Sequence, residues 1–330
     1  MDFWQLPGLM ADMELVDSYL TQFLPPEPET GRVGEIISAV TEGKGKRFRP
    51  LLLLLAGRCG PRFGEVRDRL CKLGAVVELI HMASLVHDDI VDDSPLRRGQ
   101  ATVQARFGKD MAVYTGDLIL SRTMGMVFSE GLQDAGALIC ETIERMCRGE
   151  IGQFDSRFHL DTTVERYLSN IEGKTVALFE AACRLGCRAA ACDETLTEAV
   201  ARFGRHLGYL FQIRDDLLDF LSEEAREGKP THADFREGVF TLPVLLAYRE
   251  SDNRDAFRSL SDAAWAGRFD EAETRELDRL VRECGGLAAA KGELEYHRSA
   301  ALRLSELMPP SVGAAFRGVL GKLTVPGAGA

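Results

Sequence analysis

The pattern that most restricts the fold is a three-and-four-residue spacing of apolar side chains along nearly the whole sequence. Residues 70–91 read LCKLGAVVELIHMASLVHDDIV, a spacing that gathers apolar groups on one stripe of an α-helix. It returns at Leu118–Phe128, Ala135–Met146, Val176–Leu185, Thr197–Phe220 and Leu242–Tyr248. No stretch alternates apolar and polar residues long enough for a sheet, and no hairpin signature separates two β-branched runs. Breakers rich in Gly and Pro fall at 25–31, 59–65, 93–100, 226–238 and 308–313, which is loop length and not linker length. The expectation is an all-α chain in one domain over 1–330, with an N-terminal helical region at 1–30 and a flexible tail at 324–330.

With 330 residues and 45% hydrophobic content, the chain is long enough to bury a large core. Its formal net charge of −11 disfavours a nucleic-acid or anionic-membrane binder, because both partners require a basic face. Residues 1–20 carry acids and no basic start, and the longest purely apolar run, Leu51–Gly57, is too short to span a bilayer. We therefore expect a cytoplasmic protein without stable membrane insertion. Five of the eight cysteines fall singly inside helical patterns. The other three, Cys183, Cys187 and Cys192, lack a CxxC pair or a nearby histidine and read as small buried groups.

Two stretches concentrate acid. Asp88, Asp89 and Asp92 form D-D-x-x-D at the end of one apolar helix, and Asp215, Asp216 and Asp219 repeat it at the end of another. Residues four apart share a helix face, and the C-terminal end of a helix dipole is a poor place for negative charge. A hard divalent cation reverses that penalty, since oxygen ligands shared with a phosphate are how Mg²⁺ is commonly held. One such motif reads as easily as solvated surface. The second is interleaved with Phe211, Ile213, Leu217 and Leu218, and partly buried carboxylates need partners. Two copies point to acidic faces across one cavity.

Basic residues stand where an anion would be met. GKGKRFRP at 43–50 is a glycine-rich loop opening a helix, with Pro50 in the first turn, so Lys46 and Arg49 are placed for a diphosphate at a helix N-terminus. Arg97 and Arg98 follow the first acidic motif, Lys174 opens GKTVALFEAACRLG, and Lys229 follows the second motif. Acids for metals, bases for phosphates and an apolar helical interior together describe chemistry on a diphosphate ester with an apolar tail.

From about Lys44 to Pro243 these residues resemble the trans-isoprenyl diphosphate synthase family. The ordered set is G-K-R-x-R-P, H-x-x-S-L-x-H-D-D-x-x-D, R-R-G, G-D, G-K-T, F-Q-x-x-D-D-x-x-D, G-K-P and T-L-P. The resemblance implies a helical bundle around a deep apolar cavity, the isoprenoid synthase fold, and a Mg²⁺-dependent homodimer. Its substrates would be isopentenyl diphosphate and an allylic diphosphate such as farnesyl or geranylgeranyl diphosphate. It implies that Asp88, Asp92 and Asp215 coordinate three Mg²⁺, for which Mn²⁺ is a substitute, with Asp89, Asp216 and Asp219 supporting. Arg97, Lys174, Thr175, Gln212 and Lys229 would hold the allylic diphosphate, with Asp234 near the site. Lys46, Arg49, His81 and Arg98 would hold isopentenyl diphosphate. His81 lies two helical turns before Asp88 and so on its face, whereas His87 is turned away and reads as structural. Val239 stands where members of the family often have lysine, which removes one expected contact.

Small residues Ala83 and Ser84 precede the first motif where short-chain members carry an aromatic floor. Ile80 and Val77 lie further down the helix, and Met124 or Phe128 would cap the deeper cavity. The expected product is an all-trans polyprenyl diphosphate longer than C20. The alternatives are a short-chain geranylgeranyl or farnesyl diphosphate synthase, a non-catalytic subunit of a heteromeric synthase, and a class I terpene cyclase. The intact second D-D-x-x-D and the basic residues Lys46 and Arg49 speak against the last two.

Overall fold

The computed structural model describes residues 6–25, 31–42, 45–221 and 232–323. Regular structure among them is helical apart from one ladder of two-residue strands. The residues group into two compact units, one holding residues up to Ile143, Leu178–Ala201 and Glu306–Phe316, the other holding Glu144–Ala177, Arg202–Ser305 and the residues from Arg317 onward.

In the first unit, α1 (Leu9–Phe23), α2 (Arg32–Thr41), α3 (Phe48–Gly57), α4 (Phe63–Val91), α5 (Val103–Phe107) and α6 (Lys109–Ser129) follow in order. The apolar run anticipated at Leu51–Gly57 is the body of α3, where every residue from Leu51 to Ala56 is buried. A helix apolar all round is a core helix. The 29-residue α4 packs on α1, α3 and α6. Its most apolar stretch has the length and hydropathy of a membrane span, yet 72% of that stretch is buried inside the protein, which makes α4 the central core helix. Gly186 lets a helix backbone approach α3, since a Cβ there would sit 2.2 Å from the carbonyl oxygen of Leu53.

Helix α1 occupies Leu9–Phe23 of the N-terminal region, and a buried charge fixes it. Asp12 of α1 is 1% exposed and accepts a hydrogen bond from Arg58 Nη2 at 2.7 Å and another from Arg67 Nε. Helix α7 (Gly136–Asp155) then runs from the first unit into the second.

The second unit continues with α8 (Val164–Ile171) and a π-helical turn over Glu172–Val176, and α9 (Ala177–Ala189) returns the chain to the first unit. Lys174 therefore does not open a helix; it lies inside that π turn, within a continuous helical run. After α10 (Glu194–Leu221) come α11 (Ala233–Arg236), α12 (Leu242–Glu250), α13 (Arg254–Trp265), α14 (Glu271–Glu283), α15 (Gly286–Ser305) and α16 (Pro310–Leu320). Helix α12 packs on α14 and α15, and α13 packs on α11 and α14. His206 of α10 and His297 of α15 meet through their Nδ1 atoms at 2.9 Å, and the Tyr209 ring stacks on His297 at 4.5 Å. One ring must donate and the other accept, so the contact requires a neutral imidazole. Burial pulls the His297 pKa down to about 4, and burial also lowers that of His206.

The sequence expectation of no hairpin fails at one small place. Leu96–Arg97 pairs antiparallel with Gln100–Ala101 around Arg98 and Gly99, whose φ values are 53° and 79°. Both central residues of a tight two-residue hairpin turn take positive φ, and the R-R-G tripeptide supplies one glycine for it.

Two outcomes follow. Asp12→Ala strands the buried Arg58 guanidinium and should cost about 3 kcal/mol of unfolding free energy, read from urea denaturation. For His297 the unfolded chain binds a proton that the native state refuses. Stability should therefore be steady above pH 6.5, the ordinary histidine value, and fall as the pH drops toward about 4. His297→Phe should flatten that slope in denaturation curves taken across the range.

Candidate active site

Helix α4 delivers the first acidic motif in its last turn. The Asp92 N–H closes on the Asp88 carbonyl at 2.9 Å, and Asp93 follows with a φ of 46°, so the chain leaves the helix immediately after the motif. The three aspartates are not equivalent. Asp88 and Asp92 are half-buried at the helix end, whereas Asp89 is only 6% exposed. Its Oδ1 accepts a hydrogen bond from Arg97 Nε at 2.7 Å. Gln104 Nε2 ties the carbonyls of Asp89 and Ser94 together at 2.8 and 3.0 Å. The hairpin thus brings Arg97 onto the helix that carries the motif.

Further up α4 from that motif lies a pocket of about 100 Å³ lined by Gly45, Arg47, Glu78, His81, Asp89, Arg97 and Arg98 together with apolar residues. His81, Arg97 and Arg98 all line this one pocket, although the sequence assigns Arg97 to the allylic diphosphate and the other two to isopentenyl diphosphate. Arg49 is buried, with its guanidinium 4.6 Å from the Phe179 ring centroid, and burial lowers its pKa to about 10. Burial holds His81 well below the ordinary histidine value, and the cationic Arg49, Arg98, Arg97 and Arg47 push it further down. The imidazole is thus neutral at neutral pH, with one N–H to give. Lys46 is exposed beside Arg47. Reading the sequence missed Arg47 and Glu78, although Glu78 stands three residues before His81 and therefore on its face.

In the second unit the division of labour repeats. Asp215 is exposed and Asp219 half-buried, while Asp216 is 1% exposed. Asp216 accepts hydrogen bonds from Tyr167 Oη and, at 3.1 Å, from Gln212 Nε2. Burial raises its pKa to about 6 despite those donors, and the Asp215 charge adds to the rise. Gln212 is held in turn by Thr175 Oγ1 at 2.8 Å. Asp219 accepts the His232 backbone N–H at 3.0 Å, and burial raises its pKa. The Asp234 carboxyl is pushed well up by burial and then by Asp219, Asp216 and Asp215, which places it in the same acidic cluster. Lys174 Nζ donates to Glu150 Oε2 at 3.1 Å. Lys229 lies outside the described residues. Tyr167 and Glu150 carried no motif that sequence reading could use.

The π turn that carries Lys174 and Thr175 is set by backbone contact. A Cβ on Gly149 of α7 would sit 2.2 Å from the Lys174 nitrogen, and one on Gly173 would sit 2.5 Å from the Arg145 carbonyl oxygen. Short π segments are common at functional sites.

The residues proposed for chain length divide. Ala83, Ile80 and Val77 are buried in α4, and Ser84 Oγ bonds the His81 carbonyl at 2.9 Å. Met124 is half-buried on α6, the helix packed against α4, but Phe128 is 68% exposed and closes no cavity within the chain. The His87 ring packs so close to Gly116 that a Cβ there would be 2.1 Å from Nε2. The glycine of the G-D pair is therefore a packing requirement.

Among the described residues, no three His, Cys, Asp or Glu side chains converge tightly enough to hold a metal ion. The donor set nonetheless suits a hard cation: it is all oxygen, with accessible aspartates one turn apart. Mg²⁺ commonly takes one or two carboxylates and completes its shell with water and substrate phosphate.

The architecture is the all-α isoprenoid synthase fold. A polyprenyl synthase from Caulobacter crescentus, solved with calcium and isoprenyl diphosphate, superposes with a TM-score of 0.85 at 30% identity, covering 95% of this chain and 94% of that one. A heptaprenyl diphosphate synthase component 2 of Geobacillus stearothermophilus is 34% identical over 302 residues, 91% of each chain. The nonaprenyl diphosphate synthase of Mycobacterium tuberculosis is 35% identical over 270 residues, 82% of this chain and 79% of that one. Residues 31–275 match the polyprenyl synthetase family, and the chain belongs to it.

Gly149→Ala forces the π turn away from α7. We expect a loss of about 2 kcal/mol of stability, as for other overpacking changes, together with faster amide exchange confined to residues around 172–176.

Proposed function

We propose that the chain is a prenyltransferase that condenses isopentenyl diphosphate head-to-tail with an allylic diphosphate, giving an all-trans polyprenyl diphosphate longer than C20. The observation that carries this reading is the arginine-lined pocket around neutral His81, built on the helix whose final turn holds Asp88 and Asp92. An anion subsite and a carboxylate pair on one helix suit a substrate that is both diphosphate and metal-bound.

Asp88, Asp92 and Asp215 are assigned to Mg²⁺, three ions per site with Mn²⁺ as substitute, and Asp89, Asp216 and Asp219 support them. Bound divalent cations supply neutralisation of the charge that builds on a departing diphosphate. Lys174, Thr175, Gln212, Arg97 and Lys229 orient the allylic diphosphate. Lys46, Arg49, Arg98 and the His81 N–H hold the isopentenyl diphosphate. The allylic C–O bond breaks with its electron pair leaving on the diphosphate, and the isopentenyl double bond attacks the carbon left behind. The proton lost from the new chain goes to the departing diphosphate, so no side-chain nucleophile is needed. Apolar burial along α4, with Ala83 in place of a large side chain, supports a long product, as do relatives named for heptaprenyl and nonaprenyl products.

A homodimer in the cytoplasm is part of the same proposal, with light scattering and cell fractionation as its tests. A second reading follows from the relative named component 2: that this chain works only with a different partner chain. Assay of the purified chain alone separates the two.

Purified protein given farnesyl diphosphate, labelled isopentenyl diphosphate and Mg²⁺ should release products longer than C20 after dephosphorylation, and chelation should abolish turnover. A main product of C15 or C20 sinks the length assignment. Ala83→Phe should shorten the product, and an unchanged length would mean that the growing chain does not pass Ala83.

A further inference from the structure

Arg47 is held in a way that an ordinary surface arginine is not. Its φ is 48°, a left-handed conformation that costs a side-chain-bearing residue about 1 kcal/mol or more. It caps α3 in that conformation. Its guanidinium lies between two carboxylates on different helices, Asp17 Oδ1 of α1 at 3.1 Å from Nε and Glu78 Oε1 of α4 at 2.9 Å from Nη1. Asp17 is half exposed, whereas Glu78 is 3% exposed. The second Glu78 oxygen, Oε2, is buried without a hydrogen-bond partner among the described residues. A buried carboxylate with one oxygen unsatisfied is expensive, as is the strained backbone it holds. Both costs fall on residues that line one pocket with His81, Arg97 and Arg98.

We propose that Arg47 is a further ligand of the isopentenyl diphosphate, and that Glu78 is its positioning residue. Glu78 keeps the guanidinium at the pocket wall when the pocket is empty and counters the positive charge of Arg47, Arg49, Arg97 and Arg98. Asp17 holds the same guanidinium from the solvent side and is dispensable for binding. The inference rests on the prenyltransferase reading above and sharpens its isopentenyl subsite.

The experiment compares Glu78→Gln, Arg47→Gln, the double variant and Asp17→Asn with the wild-type enzyme in steady-state assays with Mg²⁺. Glu78→Gln and Arg47→Gln should each raise KM for isopentenyl diphosphate about tenfold, the worth of one charge-assisted hydrogen bond. KM for farnesyl diphosphate and kcat should stay near wild type. The double variant should be no worse than Arg47→Gln, because Glu78 acts through Arg47. Asp17→Asn should match wild type, and Arg47→Lys should recover part of the loss. A purely structural tie predicts lower melting temperatures with both KM values unchanged or raised together, and either result overturns the proposal. If Glu78→Gln does not fold, the KM split of Arg47→Gln against Asp17→Asn decides the matter. Absence of condensation by the wild-type chain alone refutes the single-chain prenyltransferase reading on which the inference rests, a failure distinct from that of the variants.

Discussion

Carboxylates crowded at a helix end repel, and the structure is built around containing that repulsion. In each D-D-x-x-D the middle aspartate is turned inward and answered by the protein: Asp89 by Arg97, Asp216 by Tyr167 and Gln212. The outer two are less buried than the middle one. This division explains why the motif tolerates three acids within five positions. It also explains why the hairpin carrying Arg97 is tied to the motif by Gln104 and Ser94, since a misplaced guanidinium leaves Asp89 buried and unpaired.

The same economy appears on the anion side. Burial, reinforced by the charges of Arg49, Arg98, Arg97 and Arg47, makes His81 a poor base, so it remains a neutral hydrogen-bond donor and adds no further charge. Burial and like charge act in the same direction on it. Two acids line the pocket, Glu78 and Asp89, and both belong to α4, whose last turn carries the first acidic motif. Helix α4 therefore carries Glu78, His81 and the acidic motif in order along its length.

Much of this was legible in the sequence. Helical periodicity gave the all-α class, and the order of short motifs gave the family, because each motif is local and has a local physical cause. The G-D pair is readable only in part: its glycine is needed to admit the His87 ring, a contact across two helices. What stayed hidden was long-range. Tyr167 lies far in sequence from Asp216, and Glu150 far from Lys174, and neither carries a recognisable pattern. The small hairpin escaped because two-residue strands leave no alternation to detect. Lys174 looked like a helix start because Gly173 precedes it, whereas that glycine serves the close approach to α7.

The π turn at 172–176 has a further meaning for how the chain tolerates change. One residue more than an α-helical turn requires is stored there, and the backbone contact with Gly149 keeps it stored. Deleting a single residue in this segment would let the run relax to regular α-helix. Everything on one side of it would then rotate by about 100° relative to the other, carrying Lys174 off its present bearing. Length in this segment is thus under tighter restraint than side-chain identity, so that insertions and deletions, more than substitutions, set the limits within which this part of the sequence can drift.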